Sequence, residues 1–248
     1  MSISNLSVKI FADGADLDTI ISLSKNPLIK GFTTNPTLMR KAGVENYAHF
    51  AAEVVRAIPY KPISFEVFAD EFDMMESQAL QIASWGTQVN VKIPVTNTKG
   101  ECSGALVRRL ARAGVRVNVT AMMTLEQVRK MADCLEGGAP SFVSVFAGRM
   151  ADTGRDPVPM MAKAVKILAD YPNIELIWAS PRELLNIFQA DAIGCHVITV
   201  THDVLAKLKL VGKSLDEYSL ETVRMFYNDA LNAGFSLDVD REAAGTSH

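Results

Sequence analysis

The stretch "QVNVKIPVT", residues 88–96, sets a lysine in the middle of what otherwise reads as a buried strand. Val89, Val91, Ile93 and Val95 alternate with Asn90 and Lys92, and Pro94 falls near the end of the run. A period of two sends the branched residues to one face and Asn90 with Lys92 to the other. The apolar face suits a strand covered by helices. The opposite face then puts an ammonium where leaving water is costly, so the fold has to give Lys92 a use.

Comparable β-branched runs recur on both sides. They are "VKIFAD" (8–13), "IKGFTT" (29–34), "ISFEVFA" (63–69), "VNVKIPV" (89–95), "VRVNVT" (115–120), "FVSVFA" (142–147), "IELIWA" (174–179) and "HVITVT" (196–201). Between them lie helical patterns with apolar residues spaced three and four apart, as in "YAHFAAEVVRAI" (47–58) and "SGALVRRLARAG" (103–114). "TLEQVRKMADCLEGG" starts at Thr124, an N-cap candidate three residues before Gln127, and stops at Gly137 and Gly138. "DPVPMMAKAVKILADYP" has Pro157 and Pro159 near its start and Pro172 after its end.

Eight strands alternating with helices predict an α/β fold, a single (β/α)8 TIM barrel. A doubly wound open sheet is the rival, but it calls for a glycine-rich turn after the first strand. "ADGADLDT" has one glycine there and no G-x-G-x-x-G. A further long helix is expected over 215–234, capping the barrel or exchanging with a neighbouring subunit. No composition break divides the chain, so residues 1–240 are expected to form one barrel domain including that helix. The tail 241–248 reads as disordered.

Composition narrows the partners. With 48% hydrophobic and 21% charged residues the chain is ordinary globular protein. A net charge of −3 gives no reason to expect nucleic acid or an anionic membrane as partner, while small anionic substrates stay open. No stretch has the roughly 18 apolar residues of a membrane span. The opening residues do not read as a secretory signal. Cys102, Cys134 and Cys195, odd in number and widely spaced, suit free thiols, and a cytoplasmic location is expected.

In a barrel the active site gathers where strands end and βα-loops begin. Polar residues occupy that position on seven of the runs: Asp13; Thr33 and Asn35; Glu66; Lys92; Asn118 and Thr120; Ser144, with Phe146 and Arg149 beyond it; and Ser180 with Arg182. Each has an ordinary explanation too. Lys92 alternatively snorkels out of an apolar surface. Asp13 alternatively caps a helix near Asp16, Glu66 simply pairs with Lys92, and the strand hydroxyls and amide satisfy one another. The functional reading takes Lys92 as an amine desolvated enough to attack a carbonyl, with Asp13 and Glu66 as nearby carboxylates. Arg149 and Arg182, just past strand ends, suit bidentate grip of a phosphate.

"GFTTNPTLM", "VKIPVT", "VNVTAMMT", "FVSVFAGRMAD" and "ASPREL", in this order and spacing over 8–205, resemble the transaldolase family. The resemblance implies a (β/α)8 barrel that needs no metal or organic cofactor and works on small sugar phosphates. It implies Lys92 as the Schiff-base lysine and Asp13 as acid/base carboxylate, with Glu66 and Thr120 holding a catalytic water. Thr33, Asn35, Asn118 and Ser144 correspond to positions around a dihydroxyacetone unit, and Arg149, Ser180 and Arg182 to a phosphate site.

The same family includes fructose-6-phosphate aldolases. Glu66, Phe146 and Asn118 resemble the transferases at positions where those aldolases differ, so transfer is the expected reaction and Phe146 a residue of the substrate site. The proline in "WASPREL" and the short loop "GRMADTGRDPVP" depart from the larger transaldolases. Two rival classes remain on the sequence alone. A metal-dependent barrel would need clustered ligands, which His49, His196, His202 and His248 do not supply by spacing. A non-catalytic sugar-phosphate-binding barrel, or one that assembles with partners, would carry the same grip without the amine chemistry. The final helix suggests a homo-oligomer.

Overall fold

A computed structural model describes residues 3–237. In chain order the elements are β1 (Lys9–Asp13), α1 (Leu17–Ser24), β2 (Ile29–Thr33), α2 (Pro36–Lys41), α3 (Tyr47–Ala57), β3 (Ile63–Glu66) and α4 (Phe72–Ala83). There follow β4 (Val89–Pro94), α5 (Gly104–Arg112), β5 (Val117–Met122), α6 (Leu125–Leu135), β6 (Ser141–Val145), α7 (Ala147–Ala151) and α8 (Val158–Leu168). The last are β7 (Ile174–Trp178), α9 (Leu185–Ala192), β8 (Val197–Thr201), α10 (His202–Leu205) and α11 (Leu215–Asn232). The eight strands close into a barrel in sequential order, all pairs parallel, with β8 returning to β1. This is the expected TIM barrel.

Among the described residues two compact units are distinguished: the barrel, 3–209, and the segment 210–237 that carries α11. Ser214 caps α11 by accepting from the Glu217 N–H. The expected disordered tail, 241–248, lies outside the described residues. No described helix is long and apolar enough to cross a membrane. Cys102, Cys134 and Cys195 are all free thiols.

Side-chain caps close the starts of α1, α2, α3, α6 and α11. Thr124 and Gln127 form the reciprocal capping box, with Thr124 Oγ1 accepting from the Gln127 N–H and Gln127 Oε1 accepting from the Thr124 N–H. Asp16, not Asp13, caps α1 by accepting from Thr19. That leaves Asp13 free of a capping role.

All eight strands shift from the expected limits by a residue or more, and two of the larger shifts have identifiable causes. β3 stops at Glu66 rather than running on to residue 69, because Gln78 of α4 takes the Phe68 and Ala69 N–H groups on its side-chain oxygen. β5 starts at Val117, since the Val115 N–H is held by the Leu110 carbonyl. It continues past Thr120 through a bulge at Ala121, whose φ is +65°.

Val89, Val91 and Ile93 pack outward in one cluster with Met75, Ala79, Leu106 and Leu110 of the surrounding helices. Burying such a branched side chain contributes roughly 1.5–3 kcal/mol. Inside the barrel, Phe11 of β1 meets Phe142 of β6 edge to face at 5.7 Å. These strands are not neighbours, so the contact crosses the interior. Ile177 and Val197 complete the plug. Gly31 of β2 makes room for it, because a Cβ there would lie 2.6 Å from the Phe11 ring. A cavity of about 280 Å³, lined by Phe11, Phe142, Lys9, Arg116 and Glu175, opens from the other side of these rings. The polar residues stand above them.

Candidate active site

Lys92 is buried, with 6% of its surface exposed. Its Nζ donates to the Thr34 carbonyl at 2.8 Å and lies 3.0 Å from Glu66 Oε2. Strand register explains the pair, since Glu66 of β3 stands directly beside Lys92 of β4. Both ordinary and functional readings of Glu66 therefore start from the same contact.

Asp13 ends β1, in register with Thr33 of β2 on one side and Thr201 of β8 on the other. Thr33 Oγ1 donates to Asp13 Oδ1 at 2.7 Å, and Asn35 Nδ2 reaches Oδ2 at 3.4 Å. Burial raises the Asp13 carboxyl above its ordinary value and the Glu66 charge adds to the rise. Lys92 and the Thr33 hydroxyl oppose it. A carboxyl raised by desolvation is better placed to carry a proton than an exposed one, which suits an acid/base role. Asn35 has a second task as N-cap of α2, its Oδ1 accepting from the Leu38 N–H.

Asn118 is fully buried beside Lys92 in register. Its Nδ2 donates to Ser64 Oγ of β3 at 3.1 Å, and its Oδ1 accepts from Ser144 Oγ of β6 at 2.7 Å. This chain joins residues of three strands, β3, β5 and β6, and fixes the amide's orientation. Thr120 is buried, and its Oγ1 has no hydrogen-bond partner among the described residues. An unpaired buried hydroxyl is costly, so it suits a bound water or substrate hydroxyl.

Residues beyond the strand ends form a second group. Phe146 follows β6, and the Arg149 guanidinium lies 5.7 Å from its ring centre. Ser180, two residues after β7, has φ of +58°, a conformation costly for a non-glycine residue. Gly148 explains how the two loops meet, for a Cβ at that position would lie 1.5 Å from the Ser180 carbonyl oxygen. Arg182 pairs through Nε and Nη2 with the Asp152 carboxylate. Phe146 also packs against the interior cluster of Phe11, Phe142, Ile177, Ala179 and Val197 beneath the polar ring.

Four neighbours of the site were not among the sequence candidates. Thr199 of β8 shares a short hydroxyl contact with Thr33, which brings the eighth strand into the polar ring. Ser64 holds Asn118. Ser64 shares strand parity with Glu66, and that signal could have found it; Thr199 lies on a strand that offered no candidate. Tyr47 of α3 accepts from the Glu66 N–H at 2.8 Å and donates to the Glu66 carbonyl at 3.0 Å. Asp152 holds Arg182. Neither has a local sequence signal.

Fold and mouth together define a (β/α)8 barrel with a lysine–carboxylate cluster at the C-terminal ends of its strands, where barrel enzymes do their chemistry. The family model described as Transaldolase/Fructose-6-phosphate aldolase matches residues 10–245. A "Probable transaldolase" of Dehalococcoides mccartyi is 33% identical over 202 residues, covering 81% of this chain and 90% of that protein. Another "Probable transaldolase", of a Thermoanaerobacter species, is 30% identical over 231 residues, covering 93% of this chain and all of its own length. Among solved structures, dihydrodipicolinate synthase of Rhodopseudomonas palustris superposes with a TM-score of 0.57 at 13% identity. That superposition covers 94% of this chain and 82% of the synthase, a likeness of fold alone. The chain belongs to the transaldolase/fructose-6-phosphate aldolase family.

Proposed function

We propose that this protein is a transaldolase, moving a dihydroxyacetone unit from a ketose phosphate to an aldose phosphate through a Schiff base on Lys92. The observation that carries the reading is one buried amine, hydrogen-bonded to a backbone carbonyl and a carboxylate, in a polar ring that includes Asp13. A surface lysine would have neither the burial nor the partners.

In the proposed reaction the neutral Lys92 amine attacks the ketose carbonyl. Asp13 supplies a proton, through a water held by Glu66 and the otherwise unpaired Thr120 hydroxyl, to the carbinolamine hydroxyl, which leaves as water to give an iminium. Asp13 takes the proton from the hydroxyl beyond the scissile carbon–carbon bond. The bond's electron pair flows into the iminium, an aldehyde departs, and a dihydroxyacetone enamine stays on Lys92. Thr33, Asn35, Asn118 and Ser144 bind the hydroxyls of that unit. Arg149, Ser180 and Arg182 hold the phosphate.

Release and transfer differ in whether a proton reaches the enamine carbon before an acceptor aldehyde does. Phe146 follows the strand of Ser144 and carries a ring without a hydroxyl, so it cannot donate. That favours transfer over release of free dihydroxyacetone. The same reading takes the protein to work in the cytoplasm on sugar phosphates, as a homo-oligomer using the additional helix. Sedimentation velocity tests the last point.

Borohydride reduction in the presence of fructose 6-phosphate, followed by peptide mass measurement, tests the covalent step. The expected result is a permanent dihydroxyacetone adduct on Lys92 and none in Lys92→Ala. Turnover retained by Lys92→Ala would refute the mechanism.

A further inference from the structure

The Arg182 guanidinium has five N–H donors, and two of them are already committed. Its Nε donates to Asp152 Oδ1 at 2.9 Å and its Nη2 to Asp152 Oδ2. This side-on pairing leaves the end-on edge, both N–H groups of Nη1 and one of Nη2, free to grip two oxygens of a phosphate. The main chain of Arg182 is held as well, its N–H donating to Asn186 Oδ1 at 2.8 Å. Asp152 directly follows α7 in the loop after β6, whereas Arg182 lies in the loop after β7. These loops abut at Gly148 and Ser180, so both ends of the ion pair stand on contacting backbone.

We propose that Asp152 is a positioning residue that aims Arg182 at the substrate phosphate, a role that rests on the phosphate reading of Arg149, Ser180 and Arg182. Arg149 lies near enough for its charge to be felt by the same carboxylate, which is lowered from the ordinary aspartate value chiefly through the Arg182 hydrogen bond. Asp152 thus also offsets repulsion between two arginines that share one ligand.

A carboxylate beside a phosphate site has an opposing effect, since its charge repels the dianion. Both side chains of the pair are about half exposed, at 48% and 52%, so that repulsion is screened by water and salt. An unrestrained arginine, by contrast, gives up its rotamer freedom each time it binds, and the bidentate contact removes that freedom beforehand. Positioning therefore outweighs repulsion, and the two effects predict opposite signs on removal of Asp152.

The test compares Asp152→Ala, Asp152→Asn and Asp152→Glu with Arg182→Ala and the double variant Asp152→Ala/Arg182→Ala. Readouts are KM and kcat for fructose 6-phosphate and for unphosphorylated fructose, and calorimetric Kd for inorganic phosphate. Asp152→Ala should raise KM for the phosphorylated donor and Kd for phosphate about tenfold, with kcat changed much less. Asp152→Glu should recover part of the loss, and the double variant should be no weaker than Arg182→Ala alone. Unchanged or tighter phosphate binding in both Asp152→Ala and Asp152→Asn would overturn the proposal, leaving only the charge effect. Equal losses for both donors would reduce Asp152 to a structural role. If Arg182→Ala leaves phosphate binding intact, the phosphate reading itself fails; if it weakens binding and Asp152→Ala does not, only the positioning role fails.

Discussion

Replacing Gly148 by alanine puts one methyl group against the main chain of the neighbouring loop. The new Cβ would start 1.5 Å from the Ser180 carbonyl oxygen, 2.7 Å from the carbonyl carbon and 3.3 Å from Arg182 Cγ. Real contacts of this kind do not fall below 3.0 Å, so the loops have to part by about 1.5 Å. No rotamer change relieves the clash, because the first two atoms struck are backbone. Ser180 is poorly placed to yield, since the Ala179 N–H before it is tied to the Val145 carbonyl at 2.8 Å. Overpacking of this sort costs about 1–3 kcal/mol, and rigid backbone on both sides points to the upper end. A shift of that size in the arginine pair is expected to lower kcat/KM for a phosphorylated donor about 100-fold. Urea unfolding followed by circular dichroism gives the first quantity, and steady-state kinetics with fructose 6-phosphate the second. A variant within about 0.5 kcal/mol and threefold of the parent would show that the loops are not in this contact.

Asp13→Asn tests the burial of the acid/base candidate. Its carboxyl titrates above the unfolded value of 3.8, so the fold binds that proton more tightly than the unfolded chain does. The resulting stabilisation is full below 3.8 and is lost as pH rises through the folded value. The parent should therefore lose stability relative to Asp13→Asn as pH climbs from about 3.5 to 7, measured by urea midpoints; a flat difference or the opposite slope contradicts the burial. Tyr47→Phe strips the hydroxyl from both backbone groups of Glu66 and should cost about 1–3 kcal/mol, with a fall in kcat; urea unfolding and initial rates check both, and a loss below about 0.5 kcal/mol means water replaces the phenol. Phe146→Tyr should raise free dihydroxyacetone relative to transferred product, read by coupled assay of both. An unchanged ratio would end the proton-donor explanation.

The barrel was legible because eight period-two runs alternate with helically spaced stretches, and local rules agreed with the global fold. Strand ends were less so, for reasons outside local pattern. A side chain of α4 captured the amides that would have extended β3, and a left-handed Ala121 carried β5 beyond Thr120. The polar ring was readable where strand parity and position coincide, as at Asp13, Lys92 and Asn118. Thr199 passed unnoticed in a run that looks wholly structural. Tyr47 and Asp152 were invisible, since both act across the fold on partners 19 and 30 residues away. Spacing in one dimension carries no trace of such contacts.

The floor of rings built from Phe11 and Phe142 has a kinetic corollary. With the bore stoppered halfway, any sugar that reaches Lys92 comes in from one end and has to back out the same way. On the proposed reaction, the first aldehyde must vacate the opening before the second can approach the enamine. Double-reciprocal plots at several acceptor concentrations should then run parallel, the covalent enamine setting the order and the single entrance acting as its turnstile.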